Sequence, residues 1–221
     1  GNEVKTVSSA ELMGKSNTFR YATDDAVSVI DEQSEEGKKY ASVYKTIRQS
    51  GSEPVLISGR VQYTGKDGRV LYSDGLSTAD GRIIVSVDSE TAPEKIARHE
   101  VFHQTMRKVD KARRDMATQR MVRELKRKYS DAEIMEMLED YTLRYAPIYG
   151  NNDALIYQEF LADAYAGLNR FDRDITKYQR DVVGMTAQER SAQEAAAKRK
   201  KETPKTTRSD TSAEDAEPTL A

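Results

Sequence analysis

Residues 91–108 read TAPEKIARHEVFHQTMRK, a stretch that combines helix-start signals with two closely spaced histidines. Thr91 can cap a helix, and Pro93 is tolerated in the first turn. Glu94 follows Thr91 by three positions, as in a capping box. The stretch therefore predicts a helix that begins after Thr91 and carries the sequence HEVFH at 99–103.

The two histidines of this helix form a metal-ligand pattern. Residues four apart lie on one helix face, so His99 and His103 can both direct an imidazole nitrogen at one ion, at about 2.0–2.1 Å if that ion is zinc. Glu100 is the next position round the helix, where it can reach a water on the metal without being a ligand. The chain has two histidines in all, and chance would give them this arrangement about once in a thousand such sequences. A metal site is therefore favoured over a coincidence of two histidines on one face.

The third ligand has to be a carboxylate. Catalytic zinc sites usually take three protein ligands and leave one position open, and the chain offers no cysteine, no third histidine and 37 acidic residues. Glu159, on a separate predicted helix, is favoured, and Asp163, one turn further on, is its main competitor. A carboxylate at Asp163 can also accept the outer N–H of a ligating histidine. The alternative, two solvated acids on an amphipathic helix, fits poorly with their apolar neighbours Phe160 and Leu161. We expect one zinc ion per chain.

The remaining segments predict an α+β fold. Alternating or β-branched residues mark strands at 55–63, 69–72 and 82–87. Helical spacing and capping signals mark helices at 34–50, 130–145 and 153–167. Ser130 with Glu133, and Ser8 with Glu11, have the spacing of capping boxes. Pro147 and Gly150 are expected to close the second of these helices, and Asn152 or Asp153 to cap the third.

Three regions are expected along the chain. Residues 1–33 are polar and form an N-terminal extension, and residues 34–185 form the domain that carries the motif. Residues 186–221 are rich in Ala, Lys, Glu, Thr and Ser and are expected to be a charged, disordered tail.

The motif residues resemble those of the gluzincins, the zinc peptidases that include thermolysin. In that family HExxH on one helix is completed by ExxxD on a later helix, which here corresponds to 99–103 and to Glu159 with Asp163. The string EFLADAYA at 159–166 is similar to zincin-like domains in large polyproteins of phages and mobile elements. The resemblance implies a zincin-like fold, with a small, mostly antiparallel sheet, an active-site helix and a later glutamate helix. It also implies that the strand at 83–87 is the sheet edge on which an extended peptide pairs.

The activity implied by this resemblance is that of a zinc metallopeptidase, with an endopeptidase favoured and a peptide or protein as substrate. Zinc would lower the pKa of a bound water, and Glu100 would take its proton and pass it to the leaving amine. The alternative is a non-catalytic zinc-binding module that binds proteins within a larger phage or mobile-element polypeptide. Retention of Glu100 argues against that alternative, because metal binding alone does not need it.

Two features depart from the thermolysin pattern. Glu159 follows His103 by 56 positions, a wider spacing, and the charged helical insertion 110–145 is expected to form one wall of the cleft. No further histidine exists to stabilise the oxyanion, so a tyrosine hydroxyl or an arginine has to replace it. Four tyrosines lie near the predicted third ligand, most of them expected to serve in packing: Tyr145, Tyr149, Tyr157 and Tyr165.

Composition limits the partners. A net charge of −2 gives no electrostatic reason to expect nucleic acid, and no apolar run is long enough for a membrane span. The absence of cysteine fits a reducing compartment, so a cytoplasmic location is expected, the alternatives being a removed targeting segment or a phage-associated setting. The sequence indicates no oligomeric state.

Overall fold

The structure is a computed structural model that describes residues 5–13, 26–64 and 67–169. Within these ranges the strands are β1 (Lys5–Ser8), β2 (Ala26–Val29), β3 (Glu53–Ser58), β4 (Val61–Thr64), β5 (Val70–Ser73), β6 (Gly75–Ser77) and β7 (Arg82–Ser86). The helices are α1 (Ser9–Met13), α2 (Glu35–Lys39), α3 (Ala41–Gln49), α4 (Pro93–Lys108), α5 (Lys111–Lys128), α6 (Asp131–Tyr149) and α7 (Asp153–Ala166). The predicted α+β class is confirmed.

The larger sheet has the strand order β1-β2-β3-β7-β6. β3 and β7 run parallel, with Val55 opposite Ile84, and the other neighbouring pairs in this sheet are antiparallel. β4 and β5 form a separate antiparallel hairpin. The described sheets are therefore mostly antiparallel, as predicted.

The strand at this edge of the larger sheet is not the one that the sequence predicts. β7, which contains most of the segment 83–87, lies between β3 and β6 and is an interior strand. Its expected role as the sheet edge is therefore wrong, because the three-residue strand β6 pairs with its outer side. β6 is too short to show the alternation by which strands are recognised in a sequence.

The strand predicted at 55–63 is two strands in different sheets. Gly59 adopts φ 94°, in the left-handed region that favours glycine, and turns the chain between β3 and β4. Ser86 stabilises this turn, since its hydroxyl donates to the Gly59 carbonyl at 2.6 Å. The helix predicted at 34–50 is likewise divided, at Tyr40, into α2 and α3.

The larger sheet also contains residues that the sequence analysis set apart. β1 and β2 come from the predicted extension 1–33, and β2 pairs with β3. The capping box predicted there is present, with Glu11 N–H donating to Ser8 Oγ at 3.2 Å and Ser8 N–H donating to Glu11 Oε2 at 2.8 Å. The sheet therefore continues past the boundary predicted at residue 34.

The start of α4 differs from the predicted capping box. Its N-cap is Ala92, with no side-chain hydrogen bond, and Pro93 is the first helical residue. Glu94 is engaged elsewhere, because its Oε1 accepts a hydrogen bond from Ser42 at 3.1 Å. The prediction of Thr91 as cap is therefore wrong, and packing holds this end of the helix.

The end of α6 also differs. The helix continues past Tyr145 to Tyr149, with Pro147 inside its last turn, and Gly150 ends it at φ 64°. Tyr149 makes a tertiary hydrogen bond to Glu159, which favours keeping this turn helical despite the proline.

α4 is buried on two sides. Ile96, Ala97 and Val101 pack in one cluster with α3, β3 and β7. Phe102 and Met106 pack in a second cluster with residues of α5, α6 and α7. A helix enclosed in this way holds its polar side chains in fixed positions between the sheet and the later helices.

No helix within the described ranges is long and apolar enough to cross a bilayer. The predicted tail 186–221 lies outside the described residues, as does the part of the predicted domain from residue 170 onward.

Candidate metal centre

The paired histidines meet as the helical spacing predicts. His99 and His103 occupy successive turns of α4, their Nε2 atoms are 3.0 Å apart, and their rings meet edge to face at a centroid distance of 4.7 Å. Both side chains are largely withdrawn from solvent, at 12% and 15% exposure. The two nitrogens therefore face a common point beside α4.

α7 brings a carboxylate to the same point. Glu159 Oε2 lies 3.1 Å from His99 Nε2 and 3.2 Å from His103 Nε2. α7 packs on α4, and its small residues Ala162 and Ala166 are fully buried. His99, His103 and Glu159 thus form a cluster within metal-binding distance.

The spacing of the three donor atoms fits an ion. Their separations are 3.0 to 3.2 Å, and donors held tetrahedrally at zinc distances of about 2.0–2.1 Å stand about 3.3 Å apart. Three atoms with lone pairs at such close range repel one another unless a proton or a cation lies between them. The cluster could therefore hold a metal ion, and its geometry does not identify which.

Asp163 lies on the outer side of His99 and not among the three donor atoms. His99 Nδ1–H donates to Asp163 Oδ1 at 2.8 Å, which leaves the Nε2 lone pair directed at the cluster. Tyr141 O–H donates to the other carboxylate oxygen of Asp163 at 2.5 Å. Glu159 thus contributes a donor atom to the cluster, and Asp163 contacts His99 from outside it.

A tyrosine also fixes Glu159. Tyr149 O–H donates to Glu159 Oε1 at 2.6 Å, so the carboxylate presents its other oxygen, Oε2, to the histidines. From the sequence alone, Tyr149 is one of several tyrosines near Glu159 without an assigned role, and Tyr141 is not singled out. The spacing of Tyr141, Tyr145 and Tyr149, four apart on one helix face, is the signal that could have identified them.

Two other tyrosines of the predicted group serve elsewhere. The Tyr157 hydroxyl is buried and has no hydrogen-bond partner in the described part of the chain. Tyr165 packs against Phe102 with their ring centroids 6.0 Å apart. The guanidinium carbon of Arg98 lies over the Tyr165 ring, 5.3 Å from its centroid.

Glu100 is buried beside the cluster but is not one of its donors. Its side chain lies against β6, since a Cβ on Gly75 would be 2.9 Å from Glu100 Oε1 and 2.5 Å from Ile96 Cγ2. Burial raises the pKa of Glu100, and the neighbouring His99 and His103 only partly offset that rise. A carboxylate with a raised pKa is a stronger base than one in water.

His99 and Glu159, which are also largely buried, each stabilise the charged form of the other. Burial alone would lower the pKa of His99, but its hydrogen bonds to Asp163 and Glu159 hold that pKa well above its ordinary value. Burial would likewise raise the pKa of Glu159, but the positive charges and hydrogen bonds of His103 and His99 hold it well below its usual range.

The cluster opens into a cleft of about 770 Å³. Its walls come from α4, α6 and α7 on one side and from the β4–β5 hairpin and β6 on the other. Residues that line it include Tyr63, Leu76, Arg107, Tyr145 and Gln158. α6, part of the insertion predicted to form a wall, does line the cleft.

Comparisons with protein-family models, with curated proteins and with solved structures found no match for this chain.

Proposed function

We propose that the chain is a zinc-dependent peptidase that hydrolyses peptide bonds with Glu100 as general base. The observation that carries this proposal is the position of Glu100, a buried carboxylate beside three convergent donor atoms and outside their set. Metal binding by the three donors does not need this further carboxylate, and burying a charged group is unfavourable in itself.

Zinc is the ion that the donor chemistry favours. Two imidazole nitrogens and one carboxylate oxygen are a usual set for catalytic zinc, and three protein ligands leave a position open. Asp163 behind His99 and Tyr149 behind Glu159 supply the outer hydrogen bonds that such ligands ordinarily have. When bound, zinc would polarise the scissile carbonyl and acidify a water.

In this proposal Glu100 transfers a proton from the attacking water to the leaving amine. It accepts one from the attacking water and delivers it to the amine that leaves. Burial of the carboxylate keeps bulk water from competing for this proton.

An extended peptide is the substrate that the cleft favours. Among the described strands β6 pairs with β7 alone, and its Gly75 lies directly against Glu100. A peptide that runs beside β6 would bring a carbonyl to Glu100, in the manner of strand addition to a sheet edge.

The resemblance of 99–103, Glu159 and Asp163 to the gluzincin pattern supports the same reaction. The competing proposal is the non-catalytic zinc-binding module. It predicts the same metal content and no hydrolysis, so activity separates the two.

The experiment is a cleavage assay on purified chain loaded with zinc. An unfolded protein such as casein and a mixed peptide library serve as substrates, with product masses read by mass spectrometry. We expect cleavage that stops when 1,10-phenanthroline removes the metal and returns when zinc is added. Zinc-loaded chain that cleaves nothing in this screen would support the binding module, and chain that takes up no zinc would contradict both proposals.

A further inference from the structure

Three tyrosines of α6 form a stacked row along the metal centre. Tyr141, Tyr145 and Tyr149 lie on successive turns, and neighbouring ring centroids are 6.0 Å apart with interplanar angles of 11° and 18°. We call these three residues the tyrosine row. Stacking restrains the rings, so the position of each hydroxyl oxygen is fixed relative to the helix.

The two outer hydroxyls of the tyrosine row are engaged with the metal centre. Tyr141 donates to Asp163, the carboxylate behind His99, at 2.5 Å. Tyr149 donates to Glu159 at 2.6 Å. Each of them acts through a carboxylate, so each is a positioning residue.

Tyr145, the middle residue of the tyrosine row, differs from the two outer residues in its hydrogen bonding. Tyr145 lines the same cleft as Glu100 and the histidines, and its hydroxyl has no hydrogen-bond partner within the described ranges. Burial, together with the charges of Glu159 and Asp163, raises the pKa of Tyr145, so its hydroxyl remains protonated at neutral pH. Tyr145 therefore places, at the wall of the cleft, a hydroxyl donor that has no acceptor among the described residues.

Other donors on the cleft walls are less suited. Arg107 donates to the Ser77 carbonyl at 3.3 Å and to Gln104 at 2.8 Å. The Arg144 side chain is 61% exposed, and hydration weakens its field at the reacting atoms. A donor that acts on developing charge has to be held in place and shielded from water.

We propose that Tyr145 is a catalytic residue that donates a hydrogen bond to the scissile carbonyl oxygen as that oxygen gains negative charge. This inference rests on the proposed peptidase function. Tyr145 keeps its proton throughout, and no bond to it forms or breaks. The proton released by the attacking water goes to Glu100, and the electron pair of the carbonyl moves onto the oxygen that Tyr145 contacts.

The three residues of the tyrosine row can be compared through the same Tyr→Phe substitution. Tyr145→Phe keeps the stacked ring and removes the hydroxyl alone, and so do Tyr141→Phe and Tyr149→Phe. Tyr157→Phe is the control, because the hydroxyl that it removes from α7 is buried and has no hydrogen-bond partner among the described residues. Each variant is measured for zinc affinity by competition with a chromophoric chelator, and for kcat and KM at saturating zinc on a peptide that the parent cleaves.

We expect three distinct results. Tyr145→Phe should bind zinc like the parent, with kcat lowered about 100- to 1,000-fold and KM little changed, the loss typical of removing one such donor. Tyr141→Phe and Tyr149→Phe should lower zinc affinity by about 10- to 100-fold, the loss typical of an outer-shell partner. Tyr157→Phe should change neither quantity.

A second measurement does not depend on turnover. A phosphinic analogue of the cleaved peptide carries a tetrahedral anionic group, and calorimetry should show that it binds Tyr145→Phe more weakly than the parent. The substrate peptide itself should bind Glu100→Gln and Glu100→Gln/Tyr145→Phe equally.

The outcomes separate this inference from the proposal on which it rests. If the parent cleaves and zinc-loaded Tyr145→Phe cleaves at the same rate, Tyr145 is not the donor and the peptidase proposal still holds. If the zinc-loaded parent cleaves nothing, the peptidase proposal fails and the role of Tyr145 fails with it.

Discussion

Gly75 shows how closely the sheet and α4 approach each other at the site. A Cβ at this position would lie 2.5 Å from Ile96 Cγ2 and 2.9 Å from Glu100 Oε1. Contacts this short force a neighbour to move, and both neighbours belong to a helix that is buried on two sides. Gly75 therefore provides the space in which the Glu100 carboxylate lies.

The first prediction concerns this contact. Gly75→Ala should lower the stability of the chain by about 1–3 kcal/mol through overpacking, and should reduce peptidase activity because Glu100 is displaced. Urea unfolding and the cleavage assay measure the two effects. Gly68→Ala is the control, since no described residue lies within 4 Å of its Cβ position, so it should strain only the turn and leave activity intact. Equal activity in the two variants would show that Glu100 tolerates the shift.

A second residue-scale prediction separates the two carboxylates of α7. Glu159→Ala removes a donor atom of the cluster, so it should lower zinc affinity as severely as His103→Ala. Asp163→Ala removes only the partner of His99 Nδ1, for which a loss of about 10- to 100-fold is typical. Competition titration with a chelator gives all three affinities. If Asp163→Ala loses zinc while Glu159→Ala binds it normally, the ligand and the outer partner must be exchanged.

At the scale of elements, the helix ends that can be predicted are those fixed by hydrogen bonds between residues close in the sequence. The box at the start of α6 is complete, with Glu133 N–H donating to Ser130 Oγ at 3.3 Å and Ser130 N–H donating to Glu133 Oε2 at 2.8 Å. These interactions span three residues, so the sequence contains them in full. The start of α4 depends on packing and on a contact between Ser42 and Glu94, which lie far apart in the chain, and no local pattern reveals it.

The third prediction compares these two helix starts. Ser130→Ala should destabilise the chain by about 0.5–2 kcal/mol, the usual effect of losing an N-cap. Thr91→Ala should change stability by less than about 0.5 kcal/mol, as surface substitutions away from caps do, because the cap of α4 is Ala92. Urea denaturation of the two variants beside the parent measures both changes. A larger loss from Thr91→Ala than from Ser130→Ala would mean that Thr91 caps α4 after all.

At the scale of the whole molecule, the site was more predictable than the sheet. The cluster follows from two short periodic patterns, the four-residue spacing in 99–103 and the four-residue spacing from Glu159 to Asp163, each contained within one helix. Strand order is a non-local property, and nothing in the sequence of β6 or β7 states which of them is outermost. The hydrogen bonds of Tyr141 and Tyr149 are also non-local, because they depend on how α6 packs on α7.

The fold nevertheless explains why the site can act as a unit. α4 supplies two donor atoms and the proposed base, α7 supplies the third donor atom, and α6 supplies the tyrosines. A shared apolar cluster that includes Phe102, Tyr141 and Phe160 holds the three helices together. β6 completes the site from the sheet, with Gly75 against Glu100. Metal binding and the proposed chemistry thus involve different residues of one packed assembly, so the two can be separated by substitution.

The measurement that tests the proposed function most directly is the rate of peptide hydrolysis by zinc-loaded Glu100→Gln. Glutamine is nearly isosteric with glutamate and can still form hydrogen bonds, but it cannot accept the proton from water. Glu136→Gln, an exposed substitution on α6, controls for the loss of one negative charge. We predict that Glu100→Gln retains one zinc ion per chain and hydrolyses peptides at least about 100-fold more slowly than the parent. Hydrolysis at the parental rate by Glu100→Gln with its zinc in place would contradict the proposed function of Glu100.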